Sequence, residues 1–205
     1  LNRSRITLMF LFALALTASC PCRGWADQFE DIRKSAEKIT SVRGEFTQTR
    51  HMKILARPLV STGTFLFRTP DSLRWEYRSP IRNILLTHSG RTNRFVQRND
   101  ELVVDSSANL QSMQMVVQEI GQWLKGRFDE NPALTSSLEP GRKIVLVPKE
   151  SSFAALIQRI EIVLSERDGV IESVTIFEGR DSFTRIEFDQ VTLNQPIEDS
   201  LFREP

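Results

Sequence analysis

Cysteine is almost missing from this sequence, with only Cys20 and Cys22 in 205 residues. Both precede Gly24-Trp25-Ala26, where small residues at the two positions read by a signal peptidase predict cleavage after Ala26. A mature chain without cysteine has neither a disulfide framework nor a thiolate metal site. Histidine is equally scarce: His51 and His88 fall on different predicted strands, with no metal-ligand spacing between them. Each reads as an ordinary strand residue rather than a ligand or a base. The sequence contains no G-x-S-x-G elbow, no Gly-rich phosphate loop and no calcium-type acidic loop. The acid pairs Asp129-Glu130 and Glu198-Asp199 sit in polar, turn-like segments where solvated surface is the plain reading. No catalytic residue, cofactor or metal is expected, and the protein is read as a non-enzyme.

Charge of one sign is lacking too. The 27 basic residues oppose 26 acidic ones, and residues 1–26 hold three arginines and no acid, which leaves 24 against 26. A near-neutral, mixed-sign chain argues against nucleic acid as a partner, because phosphate binding needs a concentrated basic face.

The first residues predict export. Arg3 and Arg5 form a positive start, and Ile6–Ala18 an apolar run that is shorter than the about 20 residues a membrane-spanning helix needs. The expected compartment is the periplasm. An alternative is open at this point: Leu16-Thr17-Ala18-Ser19-Cys20 loosely resembles a lipobox, although Thr17 stands where leucine is preferred. Cleavage there would leave an acylated Cys20 and a membrane-anchored protein.

Residues 27–205 read as one domain, without repeat, low-complexity tract or linker. Phe29, Ile32, Ala36 and Ile39 recur at helical spacing and predict an opening helix. From Gly44 the period becomes two. Leu73, Trp75 and Tyr77 alternate with Arg74, Glu76 and Arg78, and Phe65 and Phe67 share a face in the strand before. Short turns at Thr69-Pro70-Asp71, Ser89-Gly90 and Asn99-Asp100 separate these strands, the spacing of an antiparallel meander. Leu110, Met113, Val117, Ile120 and Leu124 then follow the register of an amphipathic helix, widened by Met115, Val116 and Trp123 and stopped at Gly126. Residues 131–140 read as irregular. Strands resume to Leu193, and a parity slip in the last one predicts a bulge near Asp189-Gln190. The expected fold class is α+β, mainly β: a single strongly curved antiparallel sheet forming an unclosed barrel, with helices as a lid.

What the sequence has in quantity is large apolar side chains on these elements. Any one of them reads most simply as core. Together, a curved sheet and a broad methionine-containing helix face either pack solid or enclose an apolar cavity under an adaptable lid. The candidate lipid-binding residues are Phe46, Phe65, Phe67, Trp75 and Phe95 from the sheet, and Met113, Val117, Ile120 and Trp123 from the lid. Arg74 is the candidate polar contributor, although alternation turns it away from Trp75.

Three segments carry a family resemblance: Gly44-Glu45-Phe46-Thr47-Gln48, Gly63-Thr64-Phe65 through Thr69-Pro70, and Leu73-Arg74-Trp75-Glu76-Tyr77 with Pro80. With Val145–Lys149 and Asp199-Ser200-Leu201-Phe202, they resemble the LolA family of periplasmic lipoprotein carriers. The resemblance implies binding of lipoprotein acyl chains, receipt of cargo from an inner-membrane ABC transporter, delivery to an outer-membrane acceptor, and a monomer. Two departures stand out. Thr69 occupies the position of the family's functional arginine, and the chain ends at Pro205 without an extended Pro-Pro-Gly tail. The leading expectation is a carrier of acylated lipoprotein or a related lipid. A sensor of lipid or lipoprotein on the same fold is the alternative, as is an anchored acceptor if Cys20 is acylated.

Overall fold

A computed structural model describes residues 25–99, 101–105 and 119–205; Cys20, Cys22, Met113 and Val117 lie outside the described residues. Helix α1 (Trp25–Ala36) leads into β1 (Ser41–His51), β2 (Leu59–Arg68), β3 (Ser72–Ser79), β4 (Asn83–His88), β5 (Arg91–Arg98) and β6 (Glu101–Val104). Residues 119–123 are helical. Then follow β7 (Leu134–Glu139), β8 (Lys143–Pro148), the single turn α2 (Ser151–Ala154), β9 (Arg159–Leu164), β10 (Ile171–Phe177), β11 (Phe183–Leu193) and a 3₁₀ turn at Asp199–Phe202.

All strands join one antiparallel sheet in the order β6-β5-β4-β3-β2-β1-β11-β10-β9-β8-β7. Two meanders, β1–β6 and β7–β11, are thus zipped together by the first and last strands, and the sheet stays open between β6 and β7. The short hairpins follow from the turn residues. Ser89 and Gly90, for example, both take positive φ between β4 and β5, as a two-residue turn matched to strand twist requires.

The expected bulge is present. Arg43 faces Thr192 and Glu45 faces Asp189, so β11 carries one extra residue there. Gln190 takes the left-handed conformation, φ 52°, its side chain donates to Glu45 Oε2 at 3.1 Å, and Arg167 donates to the Val191 carbonyl at 2.7 Å. The expectation for residues 131–140 needs correcting: Leu134–Glu139 is an edge strand paired with β8. Its inward positions are Leu134, Ser136 and Leu138, opposite Pro148, Leu146 and Ile144, and the serine interrupts the apolar alternation that would have marked it.

The two faces of the sheet bury different things. On the concave face Val42, Phe46, Phe65, Trp75, Ile144, Ile162 and Ile186 form one core with Phe29 and Ile39 of the α1 region and with Ile120, Trp123 and Leu124. On the convex face Leu66, Ile197 and Phe202 form a small second cluster, where the C-terminal segment crosses β2 and β3. Helix α1 is held between two glycines. A Cβ on Gly126 would lie 2.9 Å from Ala36 Cβ, and one on Gly169 would lie 2.8 Å from Ile39 Cδ1. Both glycines also have positive φ, 73° and 75°, so no other residue suits either position.

Candidate functional site

Cross-strand register gathers aromatic rings on the concave face. Gly44 pairs with Phe65, and Phe46 with Gly63; each glycine leaves the space that the opposite ring fills. Phe46 then stacks on Trp75 with centroids 4.3 Å apart and meets the edge of Tyr77 at 5.1 Å. Phe188, brought opposite Phe46 by β11, packs edge-on against Phe65 at 5.2 Å and Trp75 at 6.1 Å. Offset and edge-to-face contacts of this kind are the favoured aromatic geometries.

Helical residues 119–123 close over this wall. Val42, Phe65 and Trp75 from one half of the sheet, and Phe188, Ile171 and Val174 from the other, line a pocket with Ile120, Trp123 and Leu124. Its free space is about 10 Å³, whereas ligand sites enclose about 300–1,000 Å³. Ile120 and Trp123 are almost fully buried and fill the pocket. Beside it, Phe67 and Leu73 face Glu119, Gln122 and Lys125 across an opening of about 330 Å³.

Polar groups are few on this face. The Tyr77 hydroxyl donates to Gln48 Oε1 at 2.8 Å, and burial holds it above the ordinary tyrosine range. Arg94 shares the face, since Trp75 pairs with Leu85 and Leu85 with Arg94, and it ion-pairs with Asp105 at 2.9 Å. Glu119 accepts from Asn131 at 2.8 Å; burial nevertheless raises its carboxyl above the ordinary range, the hydrogen bond opposing that shift.

Of the candidates named from sequence, Phe46, Phe65, Trp75, Ile120 and Trp123 meet in one cluster, with Phe67 beside them on the same face. Phe95 does not join them. It pairs with Ile84, which pairs with Glu76, and so lies on the convex face. Alternation fixes faces within a strand, but only the register across the β4–β5 turn links one strand to the next. Tyr77, Phe188 and Leu124 belong to the cluster and were not among the candidates, although their parity or helical spacing was readable.

Arg74 faces away from Trp75, as alternation expects, and its role is structural. On the convex face it donates to the carbonyls of Leu201 at 3.1 Å and Glu204 at 2.7 Å, and to Glu76 Oε2 at 2.8 Å. Arg68 donates to the Ile197 carbonyl at 2.9 Å and to Asp199, with its guanidinium over the Phe202 ring. Both arginines therefore fasten the C-terminal segment. Thr69, exposed, borders an opening of about 310 Å³ with Arg33, Lys125 and Arg127 at the base of the lid.

The chemistry on this face is apolar enclosure, with two halves of a sheet and a helical cover converging on aromatic rings; this is the build of a binding protein. Residues 37–204 match the model of the family described as outer membrane lipoprotein carrier protein LolA. The chain belongs to that family, as a divergent member, and the family is one of carriers rather than enzymes. An outer-membrane lipoprotein carrier protein of Halorhodospira halophila is 24% identical over 200 residues, covering 97% of this chain and 90% of the relative. One from Alkalilimnicola ehrlichii is 26% identical over 172 residues, covering 84% and 77%. Among solved structures, a DUF1329 family protein from Desulfovibrio piger superposes with a TM-score of 0.48 at 8% identity, covering 87% of this chain and 96% of that one.

Proposed function

We propose that this protein carries the acyl chains of a lipoprotein through the periplasm, from an inner-membrane transporter to an outer-membrane acceptor, between its concave sheet face and the segment around residues 119–124. Exposing a sixteen-carbon chain to water costs on the order of 12 kcal/mol, at about 0.8 kcal/mol per methylene. A carrier must cover most of that surface and still release it.

The observation that carries the proposal is the pairing of an aromatic wall with a cover whose own side chains fill the space. Phe46, Phe65, Trp75, Tyr77 and Phe188 form the wall, while Ile120, Trp123 and Leu124 leave about 10 Å³ free. Binding then requires the cover to move, and cargo methylenes replace Ile120 and Trp123 against the wall. Because apolar contact is exchanged for apolar contact, the net gain is smaller than the gross burial, which keeps release accessible. Phe67 extends the same surface in this scheme.

The test is native mass spectrometry of protein purified mildly from a periplasmic extract. A stoichiometric acylated protein or peptide supports lipoprotein carriage, and a different bound lipid moves the function to another cargo. An empty protein that also fails to take up a fluorescent fatty acid overturns the proposal.

A further inference from the structure

Eight large apolar side chains are exposed among the described residues, and all but Val104 lie at one end of the sheet. It is the end opposite α1, Gly126 and Gly169. There β1 and β2 meet in the hairpin loop 52–58, and Thr62 pairs with Ser79, so the β1–β2 hairpin extends past the β3–β4 turn. The pairs His51–Phe183 and Phe177–Arg159 align the β10–β11 turn and the segment after β8 along the same rim. Ile54 is 82% exposed, Ile81 60% and Leu156 70%; Leu55, Leu59 and Val60 accompany them on the hairpin.

The β1–β2 hairpin loop and the β3–β4 turn themselves carry basic charge only. No aspartate or glutamate occurs between Glu45 and Asp71, while Arg50, Lys53 and Arg57 fall in the hairpin and Arg78 and Arg82 flank Ile81. Arg50 and Lys53 are partly answered by Glu178 and Asp181, and Arg82 by Glu76. Arg57 and Arg78 have no ion-pair partner among the described residues. The run Met52-Lys53-Ile54-Leu55-Ala56-Arg57 thus interleaves apolar tips with cations, as interfacial membrane segments do.

We propose that this rim docks on an anionic lipid bilayer, with Ile54 and Leu55 entering the interface and Lys53, Arg57 and Arg78 meeting headgroup phosphates. The apolar tips project from separate loops rather than lining a groove. A fluid lipid surface accommodates scattered tips, whereas a protein partner would need a shaped, desolvated centre. None of these residues lines the concave pocket, so the docking surface stands apart from cargo binding.

The test is cosedimentation of the full chain with vesicles of phosphatidylethanolamine and phosphatidylglycerol, alongside vesicles of phosphatidylcholine alone. Binding is expected to the anionic vesicles and is expected to fall as salt rises from about 0.1 to 1 M, because the screening length shrinks from about 10 to 3 Å. The double variant Ile54→Ser, Leu55→Ser is expected to bind at least about tenfold more weakly, since two apolar insertions are lost. Arg57→Gln and Arg78→Gln should each cost about fivefold. Uptake of a fluorescent fatty acid should be unchanged in all of these variants, which separates failed docking from failed carriage. Equal binding by the parent and the double variant overturns the proposal. So does binding confined to native membrane vesicles and abolished by prior protease treatment of those vesicles, which would assign the rim to a protein partner.

Discussion

Phe46 lies over Gly63 across the β1–β2 ladder, its ring filling the space where a side chain would stand. The same exchange occurs between Phe65 and Gly44, so the two G-x-F segments are complementary halves of one packing motif. A Cβ at Gly63 would come 2.1 Å from the Glu76 carbonyl oxygen and 2.5 Å from the Phe46 ring. The carbonyl belongs to a paired strand and cannot retreat. Gly63→Ala should therefore cost about 1–3 kcal/mol by overpacking, seen as a lower urea midpoint at unchanged slope. Gly179→Ala, with nothing within 4 Å, should stay within about 0.5 kcal/mol.

The two faces of the sheet give opposite expectations for cargo binding. Ile120→Glu puts a carboxylate on the inner side of the cover, where it would lie against the acyl chain in the loaded state, whereas in the empty state the cover can lift it into water. Its affinity for a fluorescent fatty acid should fall at least about tenfold, a loss of about 1.4 kcal/mol. Phe95→Ser, on the convex face, should lose stability but keep its affinity within about twofold. A reversed order in a fluorescence titration would mean that the acyl chain uses the other side of the sheet.

The fold was readable because alternation is strict where it matters. Leu73, Trp75 and Tyr77 declared their face, and the parity slip between Phe188 and Val191 located the bulge at Gln190. What failed had a physical cause in each case. Ser136 on the inward side of β7 hid an edge strand, since an edge position tolerates a polar residue facing a thinner core. Phe95 went astray because a face inferred within one strand says nothing of its neighbour until the register is known. Alternation already turned Arg74 away from Trp75, but the carbonyls its side chain serves are 127 and 130 residues away in sequence. No local pattern carries that pairing.

Arg74 yields a stability prediction of its own. Its guanidinium reaches Leu201 O, Glu204 O and the Glu76 carboxylate in a nearly buried setting. Arg74→Met keeps the apolar stem but leaves those acceptors short of a donor. Hydrogen bonds to charged groups contribute about 1.5–3 kcal/mol, and Glu76 retains Arg82 at 2.9 Å, so the expected loss lies toward the lower end. Hydrogen exchange should speed up in residues 197–204 before it does in β1 or β11. Uniform acceleration across the sheet would show that Arg74 supports the whole fold rather than the C-terminal segment.

Acid should act in opposite directions at the two faces. At Glu76 burial pushes the carboxyl up, but hydrogen bonds from Arg74 and Arg82 outweigh it and hold the group below its usual range. Asp199 is held low first by its hydrogen bond from Arg68, then by the charges of Arg203, Arg68 and His88, against burial. For such depressed carboxyls the unfolded chain takes up protons first. Their stabilisation is complete above the ordinary carboxylate range, about pH 4, and is lost as pH falls through the lower native values. Glu119 has the other sign: burial raises it in the closed cover, so the closed state binds its proton more tightly than an open one. As pH falls from neutral through that raised value, closure is favoured and opening becomes costlier. Fatty-acid affinity should therefore decline in mild acid while residues 197–204 remain protected, and only stronger acid should release that segment. Glu119→Gln removes the titrating group without charge and should flatten the affinity profile in mild acid, leaving the acid release of residues 197–204 unchanged. If the variant keeps the parent's profile, the pH response of the cover arises from another group.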